Sequence, residues 1–319
     1  MSTTPDPRPA FCFPGQGSQT VGMGRLFHEA SPDARSTFEE ASDALGEDIA
    51  RLCFDGPPEA LQLTANTQPA VLTVSVAVAR ALAERGVVPA FVAGHSLGEY
   101  SALVVAGALP FADAVRAVRR RGEFMQEAVP VGAGTMAAIL GVALPVVEEI
   151  CRAAAQGEIV EVANVNSPVQ VVVAGHRAAV ERAVRLAAAR GGRRSVLLPV
   201  SAPFHCRLMA PAAERLQAVL AEVKPASPIV PVVRNVDAGL TTRAEDVVPF
   251  LIRQVTAPVR WMDGVVRMAR EGAAPFLEVG PGAVLTGLLK RIDGSLVCFP
   301  VEDPAGLDRA LAALGRSQG

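Results

Sequence analysis

Residues Val92–Tyr100, V-A-G-H-S-L-G-E-Y, predict a buried strand, a sharp turn and the beginning of a helix. The turn matches G-x-S-x-G, with Gly94 and Gly98 on either side of Ser96. A nucleophile elbow needs glycine at both flanks, because a Cβ at either position would clash in the crowded turn. The elbow holds the serine Oγ at a helix N-terminus, where main-chain N–H groups face it. The short pattern also occurs by chance, so a purely structural glycine-rich turn is the alternative.

The segments around this turn favour the elbow. Val87–Ala93 has the apolar composition of a strand, and Tyr100–Gly107 that of a helix of small residues. Strands and helices also alternate along most of the chain, from the strand Ala10–Phe13 to the closing strand Leu296–Pro300. We therefore predict an α/β fold, with a large domain built on a mostly parallel three-layer sheet.

A different order of elements is predicted for residues 133–203. There the strands and helices follow the order β-α-β-β-α-β, which is the order of the ferredoxin-like unit. About 70 residues is a suitable length for an inserted subdomain. We expect residues 8–132 and 204–303 to form one discontinuous catalytic domain and residues 133–203 to form the insert.

Composition excludes several classes of function. The 319 residues are 50% hydrophobic and 19% charged, with a formal net charge of −2 and no basic stripe suited to nucleic acid. The longest apolar run, Ala70–Ala83, contains Arg80 and is too short to span a bilayer. Residues 1–10 are polar and rich in proline, unlike a signal peptide. We therefore expect no nucleic-acid or membrane partner and a monomeric protein.

The few cysteines and histidines limit the chemistry. The five cysteines are scattered without a C-x-x-C pair, which fits reduced thiols in the cytoplasm. The four histidines form no H-x-x-x-H pair, so we predict neither a metal site nor a cofactor. If Ser96 is a nucleophile, one of the four histidines must act as its base, because a serine hydroxyl needs a base within hydrogen-bonding reach. His205 lies where the insert returns to the large domain, at a predicted cleft. The alternative is a core histidine bonded to the main chain.

Arg121 is the one arginine of its predicted helix that lies towards the apolar side. At about 100° per residue, Arg121 falls roughly 60° from the apolar side of the predicted helix Phe111–Val129. The other arginines of that helix fall on the polar side: Arg116, Arg119 and Arg120. A buried guanidinium needs an anion, and it binds a carboxylate through two parallel hydrogen bonds. We therefore predict that Arg121 binds a carboxylate of the substrate.

Six motifs occur in an order that resembles the malonyl-CoA:acyl-carrier-protein transacylase family, which includes acyltransferases of fatty-acid and polyketide synthesis. They are Phe13–Gln19, Gly94–Tyr100, Arg121-Gly122 with Met125-Gln126, Asn166–Pro168, Pro203–Cys206 and Val279–Gly282. The resemblance covers roughly residues 10–300. It implies an α/β-hydrolase-like large domain with a ferredoxin-like insert, as predicted above.

The resemblance also implies roles for individual residues. Ser96 is the acylated nucleophile, His205 is its base, and the main-chain carbonyl of Gln254 orients the imidazole. The amides of Gln16 and Leu97 form the oxyanion hole. The implied reaction moves a malonyl group from malonyl-CoA to the phosphopantetheine thiol of an acyl carrier protein, without a metal or a cofactor.

The substrate-binding residues are Arg121 and Phe204. Arg121 is implied to bind the free carboxylate of the malonyl group, and Phe204 to fill the space that an α-methyl group needs, which favours malonyl over methylmalonyl. Four basic residues could form a docking rim for the acidic carrier protein: Arg193, Arg194, Lys290 and Arg291. Ordinary surface charges are the alternative for each of the four.

Three other functions remain open from the sequence. The first is a discrete acyltransferase that serves a polyketide synthase. The second is a serine thioesterase or other hydrolase on the same elbow, which predicts a carboxylate beside His205 and no buried arginine. The third is an inactive protein that only binds the carrier, against which the intact Ser96 and His205 argue.

Overall fold

The computed structural model describes residues 8–200 and 202–316, so residues 1–7 of the predicted polar tail lie outside it. Within these ranges the strands are β1 (Ala10–Phe13), β2 (Phe91–Gly94), β3 (Gly134–Leu140), β4 (Val160–Ser167), β5 (Gln170–His176), β6 (Arg194–Leu197), β7 (Val232–Val233), β8 (Leu240–Thr241), β9 (Phe276–Val279) and β10 (Cys298–Val301).

The helices begin and end as follows: α1 (Arg25–Ala30), α2 (Pro32–Leu45), α3 (Ile49–Asp55), α4 (Pro58–Gln62), α5 (Thr64–Glu84), α6 (Gly98–Val105), α7 (Phe111–Glu127), α8 (Leu144–Ala155), α9 (Arg177–Ala189), α10 (Ala210–Leu220), α11 (Ala244–Gln254), α12 (Trp261–Arg270), α13 (Val284–Ile292) and α14 (Pro304–Ala313). Among the described helices, none has both the length and the apolar composition that crossing a membrane requires.

The larger sheet has six strands in the order β10-β9-β1-β2-β7-β8. All neighbouring pairs are parallel except β7 and β8. The central strand β1 is buried on both faces: Phe11 and Phe13 belong to one hydrophobic core, and Ala10 and Cys12 to another on the opposite side. Since side chains alternate along a strand, an all-apolar strand is expected where helices cover both faces of a parallel sheet. The predicted mostly parallel sheet is confirmed.

The smaller sheet has the order β4-β5-β3-β6 and is antiparallel throughout. Together with α8 and α9, these strands form the predicted βαββαβ ferredoxin-like unit. Ala137 and Ile139 of β3 face the core beneath its own helices, whereas Met136 and Ala138 face the core of the larger unit. One face of the smaller sheet therefore packs against the larger unit, and a cleft lies where β3 and β4 approach the elbow. The domain boundaries at residues 133 and 203 stay a prediction.

Two helices differ from the sequence prediction. The helical spacing of Gly24–Ala44 predicts a single helix, but the structure divides it at Ser31, whose side chain caps α2 by accepting from the N–H of Ala34. Proline favours the first position of a helix, so the sequence predicts a helix that begins at Pro69, but α5 begins at Thr64. The additional turn is stabilised from outside, because the side chain of Gln126 accepts the N–H of Ala65 at 2.9 Å. This earlier start was not predicted because the stabilising side chain lies 61 residues further along the chain.

Candidate active site

The turn after β2 has the predicted geometry of a nucleophile elbow. Ser96 has φ 53°, a left-handed conformation that non-glycine residues rarely adopt, and α6 begins two residues later. A Cβ on Gly94 would overlap the main chain of Gly98, and a Cβ on Gly98 would overlap the carbonyl of Phe13. Both glycines are therefore required by the close approach of main-chain segments around the serine.

His205 approaches Ser96 from the segment that follows the smaller sheet. Its Nε2 lies 2.7 Å from the Oγ of Ser96, and its Nδ1 lies 2.9 Å from the main-chain oxygen of Gln254. A carbonyl oxygen can only accept, so Nδ1 carries the hydrogen and Nε2 presents a lone pair to the hydroxyl. This is the tautomer that a general base needs.

The environment keeps His205 neutral. The side chain is 3% exposed, and burial together with the nearby charge of Arg121 lowers the pKa of the imidazole to about 3. Desolvation disfavours the charged form of a buried histidine, and a neighbouring cation disfavours it further. At neutral pH the imidazole is therefore uncharged, and its Nε2 is free to accept the proton of Ser96.

Arg121 is buried beside the same hydroxyl. It is 2% exposed, whereas the side chain of Arg120 on the same helix is 59% exposed. Its Nη2 donates to the Oγ of Ser96 at 3.1 Å. Gln254 Oε1 accepts from the same nitrogen at 2.9 Å, and Gln68 Oε1 accepts from Nη1 at 2.7 Å. Burial lowers the pKa of the guanidinium, so the charge of Arg121 is held at a cost in solvation.

Arg121 has no carboxylate partner in the described ranges, where its hydrogen-bond acceptors are amide and hydroxyl oxygens. Within the same ranges its Nε has no hydrogen-bond partner. The guanidinium carbon lies 5.6 Å from the centre of the Tyr100 ring, which offers a cation–π contact. A buried cation held by neutral groups can accept an anion that arrives with a substrate.

The reacting groups line a cavity of about 110 Å³ between the smaller sheet on one side and the elbow, α5 and α7 on the other. The predicted residues in its wall are Gln16, Ser96, Leu97, Arg121, Phe204 and His205. Across residues 8–200 and 202–316, the main-chain N–H groups of Gln16 and Leu97 donate to no protein acceptor. Two unpaired donors in the wall of a small cavity suit an oxyanion.

A second cavity, of about 410 Å³, lies next to the first and shares part of its wall, including Gln16, His95 and Asn164. Arg291 lines this larger cavity and donates to Gln170 at 2.8 Å. The other residues of the predicted docking rim are exposed as well: Arg193, Arg194 and Lys290. The larger cavity connects the surface near Arg291 with the side of the catalytic cavity that Gln16 and His95 form.

Comparison with known proteins agrees with this geometry. Residues 10–295 match the family model described as the acyl transferase domain. The chain belongs to the acyl transferase domain family. It is 50% identical to the malonyl CoA-acyl carrier protein transacylase of Escherichia coli K12. The 303 aligned residues cover 95% of this chain and 98% of the relative. The protein of the same name from Bacillus subtilis 168 is 46% identical, with 96% of each chain covered.

Solved structures of similar proteins have the same fold. The malonyl CoA-acyl carrier protein transacylase of Coxiella burnetii superposes with a TM-score of 0.95 at 44% identity, over 97% of this chain and 98% of the other. A type II polyketide synthase acyl-carrier protein in complex with its malonyl-transacylase contains a chain that superposes with a TM-score of 0.93 at 47% identity, over 96% of this chain and 99% of the other. The resemblance stated from the motifs is therefore confirmed for both family and fold.

Some residues of the acyl transferase site were missed from the sequence. The sequence pattern places Gln68 in the cap region of a helix that begins at Pro69, and so gives it no role in the site. In the structure Gln68 is an acceptor for Arg121 in the interior of the cavity wall. The apolar part of that wall was not predicted either: Met125, Met136, Leu198 and Val200. The position of Met125 could have been predicted, because it lies four residues after Arg121 and residues four apart share a helix face. Among the described residues, no group of three or more His, Cys, Asp or Glu side chains could hold a metal ion.

Proposed function

We propose that this protein transfers a malonyl group from malonyl-CoA to the phosphopantetheine thiol of an acyl carrier protein, through an acyl-enzyme on Ser96. One observation carries the proposal: a neutral imidazole and a buried guanidinium both lie within hydrogen-bonding distance of one strained serine hydroxyl. The relatives named malonyl CoA-acyl carrier protein transacylase, at 46–50% identity over nearly the whole chain, support the same substrates.

The first half of the reaction loads the enzyme. Ser96 Oγ attacks the thioester carbonyl carbon while His205 Nε2 takes the hydroxyl proton. The carbonyl oxygen becomes an oxyanion, which the N–H groups of Gln16 and Leu97 bind. When the tetrahedral intermediate collapses, the C–S bond breaks and the CoA thiolate receives the proton from His205. The malonyl group is then an ester of Ser96.

The second half reverses these roles. The carrier thiol gives its proton to His205, and its sulfur attacks the ester carbonyl carbon. The same two N–H groups bind the oxyanion, the C–O bond to Ser96 breaks, and His205 returns the proton to Oγ. No proton or electron is gained or lost over the cycle, since one thioester is exchanged for another.

Arg121 gives the site its preference for a short acid with a free carboxylate. Because Nη2 lies only 3.1 Å from the nucleophilic oxygen, the anion must be within a few bonds of the reacting carbonyl. The malonyl carboxylate is separated from that carbonyl by a single methylene. An acetyl group would leave the guanidinium without an anion, and an unpaired buried charge is strongly unfavourable.

The orienting group of His205 argues against the hydrolase alternative. A serine hydrolase was expected to place a carboxylate beside the imidazole and to lack a buried arginine. Here the partner of Nδ1 is a main-chain carbonyl, and Arg121 is 2% exposed. Hydrolysis of the acyl-enzyme faster than its transfer to a carrier thiol would favour the hydrolase.

The finer parts of the proposal concern selectivity and docking. Phe204 lies in the cavity wall and is proposed to exclude an α-methyl group. Arg291, beside the larger cavity, is proposed to belong to a basic rim for the acidic carrier together with Arg193, Arg194 and Lys290. If reversal of all four charges leaves the rate of transfer to the carrier unchanged, the rim is not the docking surface.

Intact-protein mass spectrometry tests the central proposal. Wild-type protein mixed with malonyl-CoA should carry one malonyl adduct, which moves to the carrier protein when the holo form is added. Ser96→Ala should carry none. A malonyl adduct that persists in Ser96→Ala, or one that is never passed to a carrier thiol, contradicts the proposed function.

A polyketide pathway is a second candidate for the carrier that is served. One neighbour of known structure is a malonyl-transacylase in complex with a type II polyketide synthase carrier. Comparison of the transfer rates to one fatty-acid carrier and one polyketide carrier would separate the two pathways.

The cytoplasmic location and the monomeric state are further proposals, and sedimentation of the purified protein tests the monomeric state.

A further inference from the structure

Glu99 is a buried acid with no part in the acyl-transfer steps described above. It is 3% exposed and lies in the first turn of α6, three residues after the nucleophile. Its Oε2 accepts two hydrogen bonds, from Gln254 Nε2 at 2.7 Å and from the main-chain N–H of Asn235 at 3.2 Å. A buried carboxyl group is costly, so an acid held at this place calls for an explanation.

Gln254, the partner of Glu99, touches both functional groups of the site. Its main-chain oxygen accepts from His205, and its side-chain Oε1 accepts from Arg121 at 2.9 Å. Its Nε2 donates to Glu99 and to the main-chain oxygen of Ser96, the latter at 2.9 Å. The base is thus supported by the main chain of Gln254, and the guanidinium by its side chain.

The direction of the Gln254 amide decides what Arg121 meets. An amide presents an oxygen on one side and an NH₂ group on the other, and the two are easily exchanged by rotation. Glu99 offers an acceptor to the NH₂ group, which leaves the oxygen facing the guanidinium. With the amide reversed, two donors would face each other in a buried site and the guanidinium would lose an acceptor.

We propose that Glu99 is a positioning residue, which acts through the Gln254 side chain to keep Arg121 directed at the carboxylate of the acyl group. This inference rests on the proposed function. It separates two properties of the site: binding of the carboxylate depends on Glu99, whereas activation of Ser96 depends on the main-chain carbonyl that holds His205. Burial raises the pKa of Glu99 to about 7, and either protonation state leaves Oε2 able to accept.

Three substitutions of Glu99 test the proposal. Glu99→Met has a similar shape without an acceptor, Glu99→Asp withdraws the carboxylate by one methylene, and Glu99→Gln retains an acceptor oxygen. We expect Glu99→Met to raise the KM for malonyl-CoA about 10-fold or more. Without Glu99 the Gln254 amide can reverse, and the charged Arg121 then loses its hydrogen bond to Gln254 Oε1. Glu99→Asp should change KM in the same direction and serves if Glu99→Met does not fold. Glu99→Gln should stay within about threefold of wild type.

Labelling of Ser96 by an uncharged fluorophosphonate provides the second measurement. This reagent has no carboxylate, so its rate reports activation of the hydroxyl by His205 without a carboxylate bound to Arg121. We expect the labelling rate to remain within about twofold of wild type in all three variants. An unchanged KM in Glu99→Met and Glu99→Asp, or a fall in labelling equal to the loss of malonylation, overturns the proposal.

A double-mutant cycle shows whether Glu99 acts through Gln254. Gln254→Ala retains the main-chain carbonyl but removes the amide, so Glu99→Met should add little to the KM of Gln254→Ala. Multiplied effects would mean that Glu99 acts by another route and would overturn the proposal. The outcome with Ser96→Ala is independent of this cycle, so failure of the proposed function and failure of this inference can be distinguished.

Discussion

Arg121→Lys is the most direct test of how the substrate is chosen, because it keeps the charge and changes only its geometry. The lysine nitrogen falls where the guanidinium carbon of Arg121 lies, one bond short of both terminal nitrogens. Those nitrogens now reach Gln68 at 2.7 Å and Gln254 at 2.9 Å. An ammonium at the shorter position cannot span both acceptors and also meet a carboxylate with two parallel bonds.

The expected loss follows from the number of hydrogen bonds. A bond to a charged group contributes about 1.5–3 kcal/mol, so losing one of two bonds to the carboxylate predicts a fall of about 10- to 150-fold in kcat/KM for malonyl-CoA. Acetyl-CoA has no carboxylate to lose, and its slow reaction should change by no more than about threefold. The preference for malonyl over acetyl should therefore shrink by nearly the full factor.

The assay is the initial rate of acylation of Ser96 by each CoA ester, followed by intact mass, with circular dichroism to check the fold. Arg120→Lys is the matched control, since Arg120 lies on the same helix, is 59% exposed and pairs with Glu123. Its kcat/KM should remain within about twofold of wild type, because surface ion pairs contribute little. Equal losses with both esters in Arg121→Lys, or no loss with malonyl-CoA, would refute the reasoning.

Further predictions concern the cavity wall, the elbow and the buried titratable groups. Phe204→Ala should raise the methylmalonyl-to-malonyl ratio of kcat/KM by about 10- to 200-fold, the range of one small apolar contact; an unchanged ratio contradicts the assigned role. Gly98→Ala should lower the free energy of unfolding by about 1–3 kcal/mol because its Cβ meets main chain. Gly287→Ala, whose Cβ meets no atom within 4 Å, should raise it by about 0.5–1 kcal/mol in the same urea titrations. The pKa of His205 falls from 6.5 to about 3 on folding, so its contribution to stability is lost as pH drops below 6.5. The pKa of Glu99 rises from 4.5 to about 7, so its contribution grows as pH drops from 7 to 4.5 and opposes that loss. Glu99→Gln removes this opposing contribution, and between pH 6.5 and 4.5 its free energy of unfolding should fall roughly 2 kcal/mol more than that of wild type; parallel urea-derived curves would contradict this.

The residues predicted from sequence are those whose signal is local. Arg121 was separated from its neighbours by helical angle alone, and its 2% exposure agrees. Ser96 was found because the elbow requires two nearby glycines, whose close contacts are present in the structure. His205 stood out because the chain has only four histidines and one lies at the junction between the two sheets. Their catalytic roles stay predictions.

The remaining contacts join residues that are far apart along the chain. The orienting carbonyl of Gln254 came only from the family resemblance, since a main-chain carbonyl has no residue type to reveal it. Gln68 meets Arg121 across 53 residues, and Glu99 meets Gln254 across 155. Glu99 was visible in the opening motif, but its partner could not be predicted before the fold showed that Gln254, at the end of α11, reaches it. Local periodicity identifies which side chain turns inward, and only the fold shows what it meets there.

On the proposed function, the choice of a main-chain carbonyl to orient His205 and the presence of the buried Arg121 have a common electrostatic reason. A triad acid would lie close to the malonyl carboxylate in the same buried cavity, and like charges there are strongly unfavourable. The carbonyl of Gln254 orients the imidazole without adding a negative charge. When His205 becomes positively charged in the transition state, two cations share the site, and the substrate carboxylate enters the cavity beside them and offsets their charge. The acyl group that Arg121 selects therefore also stabilises the imidazolium, so the preference for malonyl should appear in kcat as well as in KM.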